Sequence, residues 1–274
     1  MTIVDPHVHV WKNDPAFPWP AENAKPPAED RTAEMLLELM AANGIDKTVL
    51  VQVIHYRWDN SYVADVIKRY PDKFMGVGRI NPVDPAAADH LSMWTEEHGL
   101  HGMRLSPGAG PEGDWFAGPG MEPIFARAEK HGVPMLLLTR PSRLRDLVPL
   151  LDRHPELDVV IDHMADARPD DAEGRKLLTD LARYPRVFVK ISHTWSISGQ
   201  GFPWADTHGL VEEVYQSFGA RRIMWGTDWP VCLSKAEFPQ TLAVVRDHMK
   251  FIAPEDLEWV LGKTALRLWP FGGN

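Results

Sequence analysis

Eight short apolar runs, separated by amphipathic helical stretches and loops, recur along this 274-residue chain. They lie at residues 3–10, 48–53, 74–80, 102–105, 134–138, 159–161, 187–191 and 223–225. Helical patterns fill most of the gaps: from Thr32 to Gly44, at 62–70, 85–97 and 122–131, from Ser142 onward, and finally at 255–268. Strands that alternate with helices must pair in parallel, because each return to the sheet passes through a helix. Eight such units predict a closed (β/α)8 TIM barrel, one domain over residues 1–274. An open doubly wound sheet is the rival, but its nucleotide-binding version needs a Gly-x-Gly-x-x-Gly turn after the first strand, and none is there.

The barrel reading directs attention to the carboxyl ends of the strands, where such folds carry their chemistry. His7 and His9 close the first run. Two residues apart on a strand, they share a face. The last run, Ile223-Met224-Trp225-Gly226-Thr227-Asp228, ends in a carboxylate. A His-x-His on the first strand and an Asp after the last suit either a metal ion or general-base chemistry. The other strand ends supply Gln52 and His55, Arg79, Arg104, Thr139 and Arg140, His163, Lys190 and Ser192. Strands built for packing alone would not need these groups. Asp162, beside His163, is expected to face away from the barrel axis. His193, His208 and His101 are expected at the surface.

Bulk properties exclude several classes. Hydrophobic residues make up 44% of the chain, ordinary for a globular core. Net charge is −9, and there is no Lys/Arg-rich block, so nucleic acid is not an expected partner. No apolar run reaches the length of a membrane span, and the first residues do not have the pattern of a signal peptide. The single Cys232 rules out an internal disulfide and suits a reducing cytoplasm. Tryptophans 11, 19, 115, 195, 204 and 229 fall in predicted loops, where they would pin the loops to the barrel, form an apolar lid or support a homodimer. The segments 11–30, 106–120 and 196–207 are the expected lids.

Several segments together resemble the amidohydrolase superfamily, in its small lactonase branch. They are Asp5-Pro6-His7-Val8-His9, Gly76-Val77-Gly78-Arg79-Ile80-Asn81-Pro82, Gly102-Met103-Arg104-Leu105, Val160-Ile161-Asp162-His163, Val189-Lys190-Ile191-Ser192 and Trp225-Gly226-Thr227-Asp228-Trp229-Pro230. That branch includes dicarboxylate, sulfomuconolactone and sugar-acid lactonases. The resemblance implies a small-molecule substrate, either a carboxylate-bearing or a sugar-acid lactone. Asp228 would activate water, and His7, His9 and His163 would donate to the carbonyl oxygen. Arg104 would bind a substrate carboxylate, helped by Arg79, Arg140 and Lys190, with His55 and Thr139 also lining the site.

One departure bears on the cofactor. Many metal-dependent relatives carry a histidine at the end of the fifth strand, where this chain reads Leu136-Leu137-Leu138-Thr139-Arg140. Some lactonases of the branch work without metal, so the resemblance implies that no cofactor is required. The alternative is one zinc ion on His7, His9 and Asp228, with His163 as an added ligand. The competing functions are a zinc-dependent non-hydrolytic decarboxylase and a lactone isomerase. A Gly262-Lys263-Thr264-Ala265 turn stands where relatives often have Gly-Asn-Ala.

Overall fold

The computed structural model describes residues 1–21, 26–106 and 116–272. Eight strands form one sheet in sequence order: β1 (Val4–Val8), β2 (Lys47–Val51), β3 (Phe74–Arg79), β4 (Met103–Leu105), β5 (Met135–Leu137), β6 (Val159–Ile161), β7 (Val187–Lys190) and β8 (Ile223–Met224). Every neighbouring pair is parallel. The eighth strand meets the first through a parallel bridge between Val8 and Trp229, with His9 N donating to Trp229 O at 2.7 Å. This is the predicted (β/α)8 barrel.

Alternation along the strands builds the interior in layers. Val4, Val49, Val51, Met75, Val77, Leu136, Val160, Phe188 and Met224 fill the lower barrel over the buried Trp269. One inward step further on, three of these strands turn polar: Val77 is followed by Arg79, Val160 by Asp162, and Phe188 by Lys190. All three polar groups are buried. The site is therefore the top layer of the barrel core. Its charges must satisfy one another, since water reaches them poorly.

The helices cover the outside. Helix α1 (Ala33–Asn43) starts at Thr32, whose hydroxyl accepts from Met35 N, and stops at Gly44, left-handed at φ 68°. Helix α2 (Ser61–Arg69) buries Tyr62, Val63, Val66 and Ile67. Helices α3 (Ala87–Glu96), α4 (Met121–His131), α5 (Leu144–Arg153) and α6 (Ala172–Thr179) continue the ring. The short α7 (Thr194–Ile197) precedes α8 (His208–Phe218). The expected last helix at 255–268 is present from Pro254 to Leu268, with wider π-type turns over Trp259–Lys263. At Gly262 a Cβ would collide with the Thr2 carbonyl oxygen, so glycine lets this helix close against the start of β1.

The loop tryptophans mostly pin loops. Trp11, Trp195, Trp204 and Trp229 are buried, and Trp19 stacks on Tyr56 with ring centroids 4.3 Å apart. Trp115 and most of the expected 106–120 lid lie outside the described residues. Among the described residues, no helix is long and apolar enough to cross a membrane.

Candidate active site

A bulge in β1 sets the first two candidate residues. Between Asp5 and Val8 the strand carries one residue more than β2 does between Thr48 and Leu50. The extra residue shifts the alternation: Val4 faces the interior, Val8 packs outside, and His7 and His9 both turn inward. Their ring centroids are 5.1 Å apart. Asp228 is brought to them by barrel closure, its N donating to His7 O at 2.9 Å. The buried Asp5 ties the same seam, accepting from Thr227 Oγ1 at 2.6 Å. Burial raises the Asp5 carboxyl to about 7, against the Thr227 hydrogen bonds.

The donor set is specific at the atomic level. His9 Nδ1 lies 2.7 Å from the Val51 carbonyl, which can only accept, so the proton sits on Nδ1. His9 Nε2 lies 3.1 Å from Asp228 Oδ1. With Nδ1 held by a carbonyl, Nε2 is the ring atom that would bind a cation. His7 Nε2 lies 3.6 Å from the same oxygen. Both His7 Nε2 and Asp228 Oδ1 are buried without a hydrogen-bond partner. On its other side, His7 Nδ1 is 2.9 Å from Lys190 Nζ and 3.3 Å from Asp162 Oδ1. Three donor atoms from His7, His9 and Asp228 lie within 4.8 Å of one another. These residues fit a divalent cation.

Asp162 corrects the sequence reading. It faces the barrel interior, fully buried, with Oδ2 accepting from Arg104 Nε at 2.8 Å and Oδ1 3.1 Å from Lys190 Nζ. Burial pushes its carboxyl up, but Lys190, His7 and Arg104 more than reverse this, holding it well below the usual range. For Lys190 the balance goes the other way. Burial lowers its pKa despite Asp162. Burial and then Lys190 push His7 down to about 3, so its ring is neutral.

His193 also corrects the reading. Expected at the surface, it sits at the site, its Nε2 2.5 Å from Asp228 Oδ2 and its Nδ1 3.3 Å from Asp166 Oδ1. Burial opposes its charge, but the two carboxylates raise it to about 9. Its ring stacks on His163, centroids 3.5 Å apart and 2° from parallel. His163 Nδ1 pairs with Ser192 Oγ at 2.7 Å. Burial, then the charge on His193, keeps His163 neutral. Local backbone produces this cluster. Residues 163–166 are all left-handed, with φ between 51° and 56°, and His193 and Asp228 have φ of 67° and 55°. Non-glycine residues pay roughly 1–2 kcal/mol each for this region, a strain typical of functional sites.

The remaining candidates spread around the mouth. Arg79 and Arg104 are register neighbours at the ends of β3 and β4. Lys190 is fully buried beneath the site, against His7 and Asp162. Thr139 is buried, with a hydroxyl lacking a hydrogen-bond partner. Arg140 is exposed and lines a cavity of about 510 Å3 with Asp166, Arg168 and His193. His55 is half-buried, its ring 5.5 Å edge-to-face from Trp11. Gln52 is taken up by the backbone, donating to Asp59 O and accepting from Val53 N.

Comparison with known proteins places this geometry. The chain is 29% identical to an L-fucono-1,5-lactonase of Burkholderia ambifaria, over 83% of this chain and 80% of that protein. It is 26% identical to a 4-sulfomuconolactone hydrolase of Rhizobium radiobacter, over 82% and 75%. An amidohydrolase of Burkholderia multivorans crystallised with bound zinc superposes with a TM-score of 0.81 at 21% identity, covering 99% of this chain and 100% of that one. The expectation that no cofactor is required is overturned. The cation-ready donors of His7, His9 and Asp228, and a zinc-bound relative of the same fold, point to a divalent metal. The missing fifth-strand histidine removes one ligand, and three protein ligands suffice for a catalytic zinc site. The amidohydrolase family model matches residues 4–271, and the chain belongs to that family.

Proposed function

We propose that this amidohydrolase opens a lactone by adding water to the ring carbonyl, a carboxylic ester hydrolysis. The observation that carries the reading is the buried Asp228 carboxylate, aligned between His9 and His193 at the barrel mouth. The lactone-hydrolase relatives support the same chemistry. A divalent cation on His7, His9 and Asp228 would polarise the carbonyl and acidify a bound water. Asp228 takes the proton from the attacking water and returns it to the ring oxygen as the ester bond breaks. His193, through Asp228 Oδ2, fixes the orientation of that carboxylate. With Ser192 donating to His163 Nδ1, the proton of His163 lies on Nε2, and His163 can stabilise the developing oxyanion. Asp162, held by Arg104 and Lys190, orients the His7 ring from below.

Proton NMR of the products tests this reading. A hydroxy acid formed with uptake of water is the expected outcome. A rearranged lactone would make the protein an isomerase, and carbon dioxide from an aromatic acid would make it a decarboxylase. Either product would refute the proposal.

A further inference from the structure

Asp166 closes the run of left-handed, non-glycine residues that begins at His163. The run carries its carboxylate back to His193, with Oδ1 3.3 Å from Nδ1. Among the described residues, this is the one hydrogen bond that the Asp166 side chain makes. The carboxylate does not tie its own turn, which is closed by backbone, with Ala167 N donating to Met164 O at 3.1 Å. Neighbouring Arg168 faces Asp170 instead. Asp166 lines the cavity of about 510 Å3 with His193, and its side chain is 40% exposed. A strained backbone that delivers a carboxylate to one imidazole, and to nothing the fold needs, points to a task at that imidazole.

The other contacts of His193 show what that task is. His163 stacks flat on the ring, and Trp195 meets it in a T-shaped contact with centroids 4.7 Å apart. These contacts fix the plane of the imidazole but not which way round it lies. A half-turn about Cβ–Cγ leaves the plane unchanged and exchanges each nitrogen with a carbon. In the turned ring Cε1 would face Asp228 Oδ2 in place of Nε2, and that oxygen would lose its donor. Only the polar partners distinguish the two orientations. They are Asp228 at Nε2 and Asp166 at Nδ1. Asp228 is the group being oriented and cannot also be the fixed reference. Asp166 supplies that reference.

We infer that Asp166 is a positioning residue for Asp228. Through His193 it keeps Asp228 Oδ2 hydrogen-bonded, so that Oδ1 stays turned toward His7 and His9. This rests on the reading of Asp228 as cation ligand and base, and cation binding tests it without turnover. A partner one step behind a ligand acts by holding that ligand in the binding orientation, so its loss weakens the cation without removing a donor.

The test is a double-mutant cycle. Asp166→Gly removes the carboxylate and suits the left-handed backbone, so added strain does not confuse the result. Zinc affinity is measured by competition with a chromogenic chelator in the wild type, Asp166→Gly, His193→Phe and the double variant. Asp166→Gly weakens zinc binding by about three- to tenfold. The same change made in His193→Phe costs less than about twofold, because the effect passes through the imidazole. Asp166→Asn keeps an acceptor and tolerates the same backbone, and it recovers at least about half of the lost affinity. With a lactone that the wild type opens, Asp166→Gly lowers kcat by about tenfold and leaves KM within about threefold. Unchanged zinc affinity in Asp166→Gly overturns the inference. An equal loss with and without the His193 imidazole also overturns it, because Asp166 would then serve the loop alone. So does Asp166→Asn binding no better than Asp166→Gly, or a wild type that binds no zinc. Silence toward every lactone defeats the proposed function, while the zinc cycle still decides the role of Asp166.

Discussion

Replacing Asp162 by Asn should destabilise the fold through two cations stacked under the site. Asp162 is the anion for Arg104 at 2.8 Å and for Lys190 at 3.1 Å, and Asp162 and Lys190 are fully buried. At an effective dielectric near 20, each attraction is about 5–6 kcal/mol before desolvation is set against it. Breaking a buried pair on one side typically costs about 3–5 kcal/mol. Lys190 can relieve part of this by shedding its proton, since burial already lowers its pKa. The lower end, about 3 kcal/mol, is the expectation for Asp162→Asn. For a domain of this size, that corresponds to a fall of roughly 5–10 °C in Tm. Urea and thermal unfolding of the single variant, and of Asp162→Asn combined with Lys190→Met, measure it. The double variant should recover at least about 1 kcal/mol relative to additivity, because it removes the stranded charge. A single variant within about 0.5 kcal/mol of the wild type, or a strictly additive double, would refute the argument.

Asp228→Asn should lower kcat by roughly 10^3-fold with the unfolding transition preserved; steady-state kinetics within tenfold of the wild type would contradict its role as base. His193→Phe removes the hydrogen bond that orients Asp228 and should cost about 10–100-fold in kcat, and a wild-type kcat would reduce His193 to a packing residue. His9→Ala should weaken zinc binding, measured by competition with a chromogenic chelator, by at least about tenfold, and unchanged affinity would remove His9 from the cation site. Gly262→Ala forces the Thr2 carbonyl away from the C-terminal helix and should lower stability by about 1–3 kcal/mol in a melt; an unchanged melt would show that this contact relaxes freely.

The barrel and its first and last strands were legible because their signals are local. Apolar runs mark each strand, and the period-two spacing of His7 and His9 survives on a single face. Strand alternation carried through to His163 points Asp162 outward, and the structure differs. Alternation from Val160 in fact puts Asp162 inside, and the left-handed backbone at His163 brings the next residue inward as well. His193 was missed for a related reason: it lies beyond β7, turned by φ 67°, and its partners Asp166 and Asp228 are remote in sequence. The metal expectation failed on one absent histidine. The decisive feature, the Val51 carbonyl that fixes the His9 tautomer, exists only once β1 and β2 are paired.

The most direct test of lactone hydrolysis at this site is a pH-indicator screen of the purified wild type. The panel spans aldonolactones, uronic-acid lactones, muconolactones and pyrone dicarboxylate. The account predicts acid release from at least one lactone of the panel. No acid release from any of them, with carbon dioxide evolved from an aromatic acid instead, would contradict it.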